Sequence, residues 1–409
     1  MKNWLKLRQT ACYVLPLGLV LVYLAFPISN ALANLAMLLA CGLWLVSGQW
    51  HEKWHRIHSN PGLWMALALY GWMWLGIVYT DASNEEIRQH LIKYFKLAFM
   101  AVVVSSLAND TWRRRCWTAF AVAMLFTLCS TYLNIWFQLP WSATANQGWN
   151  TDHTVFKDYI SQGILMSMFV GLCLAQLLRS TLAWPYKSIW AVLAVLSVLS
   201  MTHLSAGRSG YLALLAAVVG FVLWALSGWK RWTTILVLVV AALGLYTSSP
   251  MMQQRVSQAV AEAQNHNVND FSSIGQRLYF ADKSFQLIAE KPLLGWGTGA
   301  YHQQFCRVAD NEQWCEHGKF HPHNQFLFIW VEHGVPGLLL LLGMIVMPVW
   351  MTRHAPVHVR GLAAAYSGIF FVISMTHGSL WLSTESHFHT LMGALLMAGY
   401  RGSIPRSLR

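Results

Sequence analysis

Apolar runs of roughly twenty residues, each bounded by charge or turn residues, recur from one end of the chain to the other, and no other feature restricts the fold so severely. Within hydrocarbon no water can pair the backbone, so such runs cross as helices. The composition agrees: 56% of the 409 residues are hydrophobic and 11% charged, with mean hydropathy +0.41. An ordinary soluble domain carries roughly 25% charged residues. The chain therefore reads as an all-α polytopic membrane protein. The runs persist to the C-terminal end, so the first is read as a span and not simply a cleaved leader.

Twelve spans are predicted, at about 11–28, 31–47, 61–79, 90–108, 115–137, 155–178, 187–204, 209–227, 232–248, 323–350, 359–376 and 380–400. Residues 1–248 then hold spans one to nine, 249–322 form a large loop, and 323–409 hold the last three. Starting from a cytoplasmic N-terminus, 17 of the 28 Lys and Arg fall on the cytoplasmic side. Outside the long loop, whose charges carry little topological weight, the split is 17 to 5. Both termini are expected in the cytoplasm and the long loop outside it. The net charge of +12 suits this rule and anionic membrane lipids, and with no basic block longer than Arg113-Arg114-Arg115 a nucleic-acid partner is not expected.

The loop is too long for a connection and reads as a small helical cap. Met251 to Gln264 suggests a polar helix; Ser272 and Ser273 can cap a second, with Ile274, Leu278, Ala281, Phe285 and Ile288 along one face. Cys306 and Cys315 lack the second pair of a zinc ribbon, so a loop-closing disulfide is available to them if the loop meets an oxidising compartment. Gly295, Gly297 and Gly299 alternate without a surrounding βαβ unit, which points to a turn where backbone approaches backbone, not to a dinucleotide site.

Three outer positions sit where helices are expected to begin. Pro322 suits the first helical position, which places His323 in the first turn of the tenth span, where the helix dipole disfavours a protonated imidazole. A neutral histidine there can act as a base. Arg208 occupies the tight connection before the eighth span, with Ser209 as a possible N-cap, and Arg277 begins the loop helix. Two guanidiniums can hold a diphosphate, although outer arginines at helix starts more often snorkel or contact lipid headgroups. Glu332 is an intramembrane acid, either functional or the partner of His333 or a loop arginine. His317, His321 and His323 carry no carboxylate pattern of a metal signature, and no metal or cofactor is expected. Lys93 and Lys96, below Arg88, form a basic ladder suited to snorkelling or to acidic lipid.

Taken in order, Ser205-Ala206-Gly207-Arg208-Ser209-Gly210, Gly275-Gln276-Arg277, Lys291-Pro292-Leu293-Leu294-Gly295-Trp296-Gly297 and His323-Asn324 with Gly334 resemble the O-antigen ligase and polymerase superfamily. The motifs cover about residues 200–340, and the span layout is similar over the whole chain. The resemblance implies a GT-C type glycosyltransferase of the bacterial inner membrane. It would move O-antigen from undecaprenyl diphosphate to the lipid A-core, on the periplasmic side and without a metal. It implies that Arg208 and Arg277 hold the donor diphosphate and that His323 assists the acceptor hydroxyl. Asn324, Glu332 and His321 are candidates to support them. The O-antigen polymerase and the protein O-oligosaccharyltransferase share these motifs. A lipid or solute transporter is the rival from another class, and it would require paired intramembrane charges and interrupted helices.

Overall fold

A helix that crosses a bilayer must pair its backbone internally, and wherever it breaks, other protein groups have to take over the freed carbonyls. The computed structural model, which describes residues 2–264 and 271–399, is helical throughout, with no strand among the described residues. Arg401, Arg406 and Arg409, part of the charge argument, and the end of the twelfth predicted span lie outside the described residues.

α1 (Lys2–Ala25) and α2 (Asn30–Ser47) form a hairpin, and a short α3 (Trp50–His58) leads to α4 (Pro61–Gly76). α5 (Asn84–Tyr94) and α6 (Lys96–Ser106) precede α7 (Asp110–Leu133), α8 (Tyr159–Leu177), α9 (Trp184–His203), α10 (Arg208–Ala225) and α11 (Trp229–Ser248). The cap contains α12 (Pro250–Gln264), α13 (Ser273–Glu290), α14 (Tyr301–Val308) and α15 (Glu312–Gly318). α16 (Gln325–Thr352), α17 (Val357–Thr376) and α18 (Ser383–Met397) return to the bundle.

Ten of these helices are long and apolar enough to cross a membrane. The fourth and twelfth predicted spans are the exceptions. Residues 90–108 are divided between α5 and α6, which meet at Phe95; α5 opens with a Ser83–Glu86 capping box and is too polar to face lipid. The twelfth is α18, of 15 residues, buried from Thr384 to Met397. At 1.5 Å per residue it is shorter than the hydrocarbon layer, and its Glu385, His387 and His389 face protein. α8, α10 and α17 pack closely on one another, while α18 packs chiefly on α6, and Gly163 and Gly210 let α8 and α10 approach: a Cβ on Gly163 would stand 2.8 Å from the Gly210 Cα.

α16 breaks at Gly334, where φ is 60° and ψ −160°. Pro336 has no N–H for the Glu332 carbonyl, and the Val335 N–H turns away to Leu293 at 3.1 Å. The segment 291–299 repairs the break. Trp296 N donates to Val331 O at 2.9 Å, Gly297 N donates to Glu332 O at 2.8 Å, and the Trp72 indole takes His333 O at 3.1 Å. Thr298 ties the same segment to α4 through Met73 O and Gly76 O. The alternating glycines thus serve a close backbone approach, and the interruption is filled with protein groups.

The cap has its own core. Trp314 stacks on Tyr279 and Phe271 at centroid distances of 3.9 and 4.2 Å, and Phe280, Tyr301 and Phe305 complete the cluster. A Cys306–Cys315 disulfide joins α14 to α15, and Lys283 pairs with Asp310 at 2.7 Å. Ser272 caps α13 by accepting from Gly275 N. The buried face of α13 differs from the expected stripe: Tyr279, Phe280, Leu287 and Ile288 face inward, whereas Leu278 and Phe285 are exposed. The aromatics of α14 and α15 select that face.

Gly334 sits in a region of backbone space essentially reserved for glycine, and a Cβ there would run into the Leu293 carbonyl. Gly334→Ala is expected to destabilise by on the order of 1–3 kcal/mol from the backbone alone. Gly42→Ala, in an open helical position, is expected to be neutral or stabilising. Thermal unfolding of both variants in detergent checks this.

Candidate active site

Asn324, not Pro322, sets the start of α16. Its side chain accepts from Phe326 N and Leu327 N at 3.0 and 3.1 Å, so the helix begins at Gln325. His323 accordingly lies before the helix, in a turn with φ 52°, and not in the first turn. The turn is held by the His323 N–H donating to His321 Nδ1 at 3.1 Å. Accepting that bond leaves the remaining His321 proton on Nε2.

The helix dipole is therefore not what keeps His323 neutral. Its ring stacks on Phe280 of α13 at 5.9 Å, and burial, followed by the charge of Arg277, lowers its pKa to about 4. His321 stands edge-on at 4.4 Å. Burial, then the charges of His323, His377 and Lys93, lower its pKa to about 3. Among the described residues the buried His323 Nδ1 has no hydrogen-bond partner.

His377, at the C-terminal end of α17, completes this group. Its ring lies 6.1 Å from that of His323, and its Nε2 is 2.9 Å from the Ser209 hydroxyl. Ser209 thus bonds a histidine and does not cap α10; Gly207 occupies the cap position without a side-chain bond. Burial, then Arg277 and His323, hold His377 to about 3. Nothing in the sequence reading singled it out. The available signal was a polar Thr376-His377-Gly378-Ser379 link on the same face as the other candidates.

Arg208, the first residue of α10, pairs with Glu262 of α12 at 3.1 Å. The same Glu262 carboxylate accepts from Ile274 N at the start of α13, 3.3 Å away, so one acid of α12 joins α10 to α13. Arg277, one turn into α13, bonds Ser273 Oγ at 2.9 Å, while its Nε is buried with no partner among the described residues. Burial and then the neighbouring Arg208 hold Arg277 below the ordinary arginine value. Two neighbouring guanidiniums thus have one acid near them, and only Arg208 bonds it. Such an arrangement favours a further anion.

Arg208, Arg277, His321 and His323 are brought together; Glu332 is not. It is buried at the break in α16, with Oε1 2.9 Å from His90 Nε2 and 3.2 Å from Tyr301 N. It therefore ties α5 and α14 to α16. His317 is bonded to Gln313 O and packs on Phe271. Among the described residues the one group with three potential metal-ligand atoms within 4.8 Å is His302, Cys306 and Cys315, whose sulfurs are joined as a disulfide. A recess of about 480 Å³ lined by Arg56, Asn109 and Asp110 contains none of these site residues.

The family model described as O-antigen ligase matches residues 192–342. The matched segment is similar to the domain of that family. The match runs from α9 through the break in α16 and includes Arg208, Glu262, Arg277 and His323; His377 lies beyond it. The family is one of glycosyltransferase-like ligases and polymerases acting on lipid-linked glycans. No curated protein matches the chain.

The three depressed histidines fix the sign of an acid effect. Unfolded, each titrates near 6.5; folded, near 3 to 4. Between those values the unfolded chain binds more protons, so stability falls as pH drops below about 6.5, by at most about 1.4 kcal/mol per pH unit for each histidine. The unfolding temperature is expected to decline from pH 7 to pH 5, and His377→Gln to flatten that decline.

Proposed function

We propose that the protein is an O-antigen ligase of GT-C type in the bacterial inner membrane, with both termini cytoplasmic and its site facing the periplasm. It would transfer O-antigen from undecaprenyl diphosphate to a sugar hydroxyl of the lipid A-core. The observation that carries this reading is the convergence of Arg208, Arg277 and His323 within the family-matched segment. The cap disulfide suits an oxidising compartment, which agrees with the proposed orientation.

In this reading the donor diphosphate lies between Arg208 and Arg277 and displaces the Glu262 carboxylate from Arg208. As the bond from the anomeric carbon to the diphosphate oxygen breaks, the electron pair stays with the leaving group, where the two guanidiniums stabilise it. The acceptor oxygen forms the new bond from the opposite face, which inverts the centre, and its proton passes to His323. A histidine held near 4 is a weak base. The diphosphate, however, neutralises Arg277, one cause of that depression. Donor binding therefore strengthens the base in the complex where it is needed.

His323→Ala is expected to lower transfer by about 100-fold or more, the usual worth of a positioned base, with the fold intact. The acid limb of kcat is expected at higher pH than that of kcat/KM for the donor, because only the former reports the donor complex. Arg208→Ala and Arg277→Ala should raise donor KM and lower kcat, whereas Glu262→Gln should lower donor KM by removing the competing carboxylate. Retained activity in His323→Ala, or coincident acid limbs, counts against this mechanism. Supplying carrier-linked glycan with lipid A-core, with further carrier-linked units, or with a protein acceptor identifies the acceptor; product only from the first supports the ligase.

A further inference from the structure

Beside the histidine group lies a second set of cations that the proposed reaction does not use. Lys93 at the end of α5 holds its ammonium 3.5 Å over the Trp381 ring. Lys96, the first residue of α6, reaches the Ser383 carbonyl at 3.4 Å, and the buried Lys157, just before α8, bonds Asn30 Oδ1 at 2.7 Å. Among the described residues none of the three has a carboxylate within 4.0 Å, whereas Lys283 and Lys319 of the cap are both paired.

The acids nearby are already engaged. Glu385, buried at the start of α18, lies 3.0 Å from the Ser161 hydroxyl, and Asp158 lies 2.7 Å from the same oxygen. Asp158 also caps α8 through Ile160 N and Ser161 N. Even with both acids ionised, the three lysines leave a positive excess. Burying part of such an excess is costly without an anion.

This set adjoins the reacting centre at two places. Lys93 lies over Trp381, and a Cβ on Gly378 would stand 3.3 Å from both the Trp381 Cβ and the ring of His321, which stands edge-on to His323. Tyr159, next to Asp158, presents its carbonyl to Gly207, so closely that a Cβ there would lie 2.8 Å from it, and Gly207 immediately precedes Arg208. The three ammonium groups differ in kind from the arginine pair. Lysine is a compact charge with rotatable donors, suited to a phosphate monoester, whereas the guanidinium fork suits a diphosphate held in one orientation.

We propose that Lys93, Lys96 and Lys157 form a second anion site that takes a phosphate monoester of the acceptor glycolipid and so presents its sugar hydroxyl to His323. This inference rests on the ligase reading and names how its acceptor is held. Trp381 supplies a flat apolar wall beside the site, against His90, Tyr94 and Phe328.

The test uses the full chain in nanodiscs, with phosphorylated lipid A-core and the same preparation after phosphatase treatment. Wild type is expected to bind the phosphorylated form about tenfold more tightly, the order of one charge-assisted hydrogen bond. K93Q/K96Q should abolish that preference, K93R/K96R should restore it, and the acceptor KM of K93Q/K96Q should rise about tenfold with donor KM unmoved. Equal binding of the two forms by wild type, or an undiminished preference in K93Q/K96Q, overturns the proposal. So does complete competition by phosphatidylglycerol at equal concentration, which would make this a general headgroup site. Binding by His323→Ala keeps the two readings separable: phosphate-dependent binding without transfer by wild type counts against the ligase, and the binding preference alone decides this inference.

Discussion

The site depends on a repaired break in one membrane helix. At Gly334 and Pro336 α16 gives up its own hydrogen bonds, and the backbone of 291–299 supplies Trp296 N and Gly297 N to the carbonyls of Val331 and Glu332. That exchange fixes the chain leaving α13 to the bundle. Phe280 on α13 then meets the ring of His323, and Arg277 one turn earlier comes close enough to depress its basicity. A continuous α16 would leave those carbonyls paired within the helix and the cap without its principal backbone attachment. Glu332 contributes at the same level, joining α5, α14 and α16 beneath the cap.

A broken membrane helix is also what a transporter would need, and the distinction lies in what fills the gap. Ion sites expose freed carbonyls to a cavity. Here Leu293, Trp296, Gly297 and Trp72 complete the backbone pairing around the break. A local positive excess lies instead at the cap, where Arg208 and Arg277 neighbour each other with Glu262 as the nearby acid.

Much of this architecture was legible because its causes are local. The apolar runs required a polytopic helical bundle, and Ser272 before Gly275 correctly marked the start of α13. The misreadings have a common origin in tertiary partners. Pro322 looked like a helix start, yet Asn324 had the better capping side chain and left His323 in a left-handed turn. The stripe through Leu278 and Phe285 is periodic, but Trp314, 35 residues further along the chain, draws Tyr279 inward instead. α18 looked like a span because its apolar residues are plentiful, whereas its Glu385, His387 and His389 require a protein environment. His377 and Glu262 were missed because each acquires meaning only from a residue far away in sequence: Ser209 for the one, Arg208 for the other.

The electrostatics around Arg277 carry a built-in tension. Arg277 is crowded by Arg208 and, among the described residues, lacks a partner for its buried Nε; burial, and then the Arg277 charge, keep the neighbouring His323 neutral but weakly basic. Glu262 offsets one positive charge, not two. A diphosphate relieves each of these costs at once: it separates the guanidiniums electrostatically, satisfies their donors and lifts the penalty on protonating His323. In the proposed mechanism the binding free energy of the donor would then be coupled to the proton affinity of His323. In the proposed mechanism the charge of Arg277, placed on a cap helix that the break in α16 holds down, would link recognition of the leaving group to activation of the incoming one.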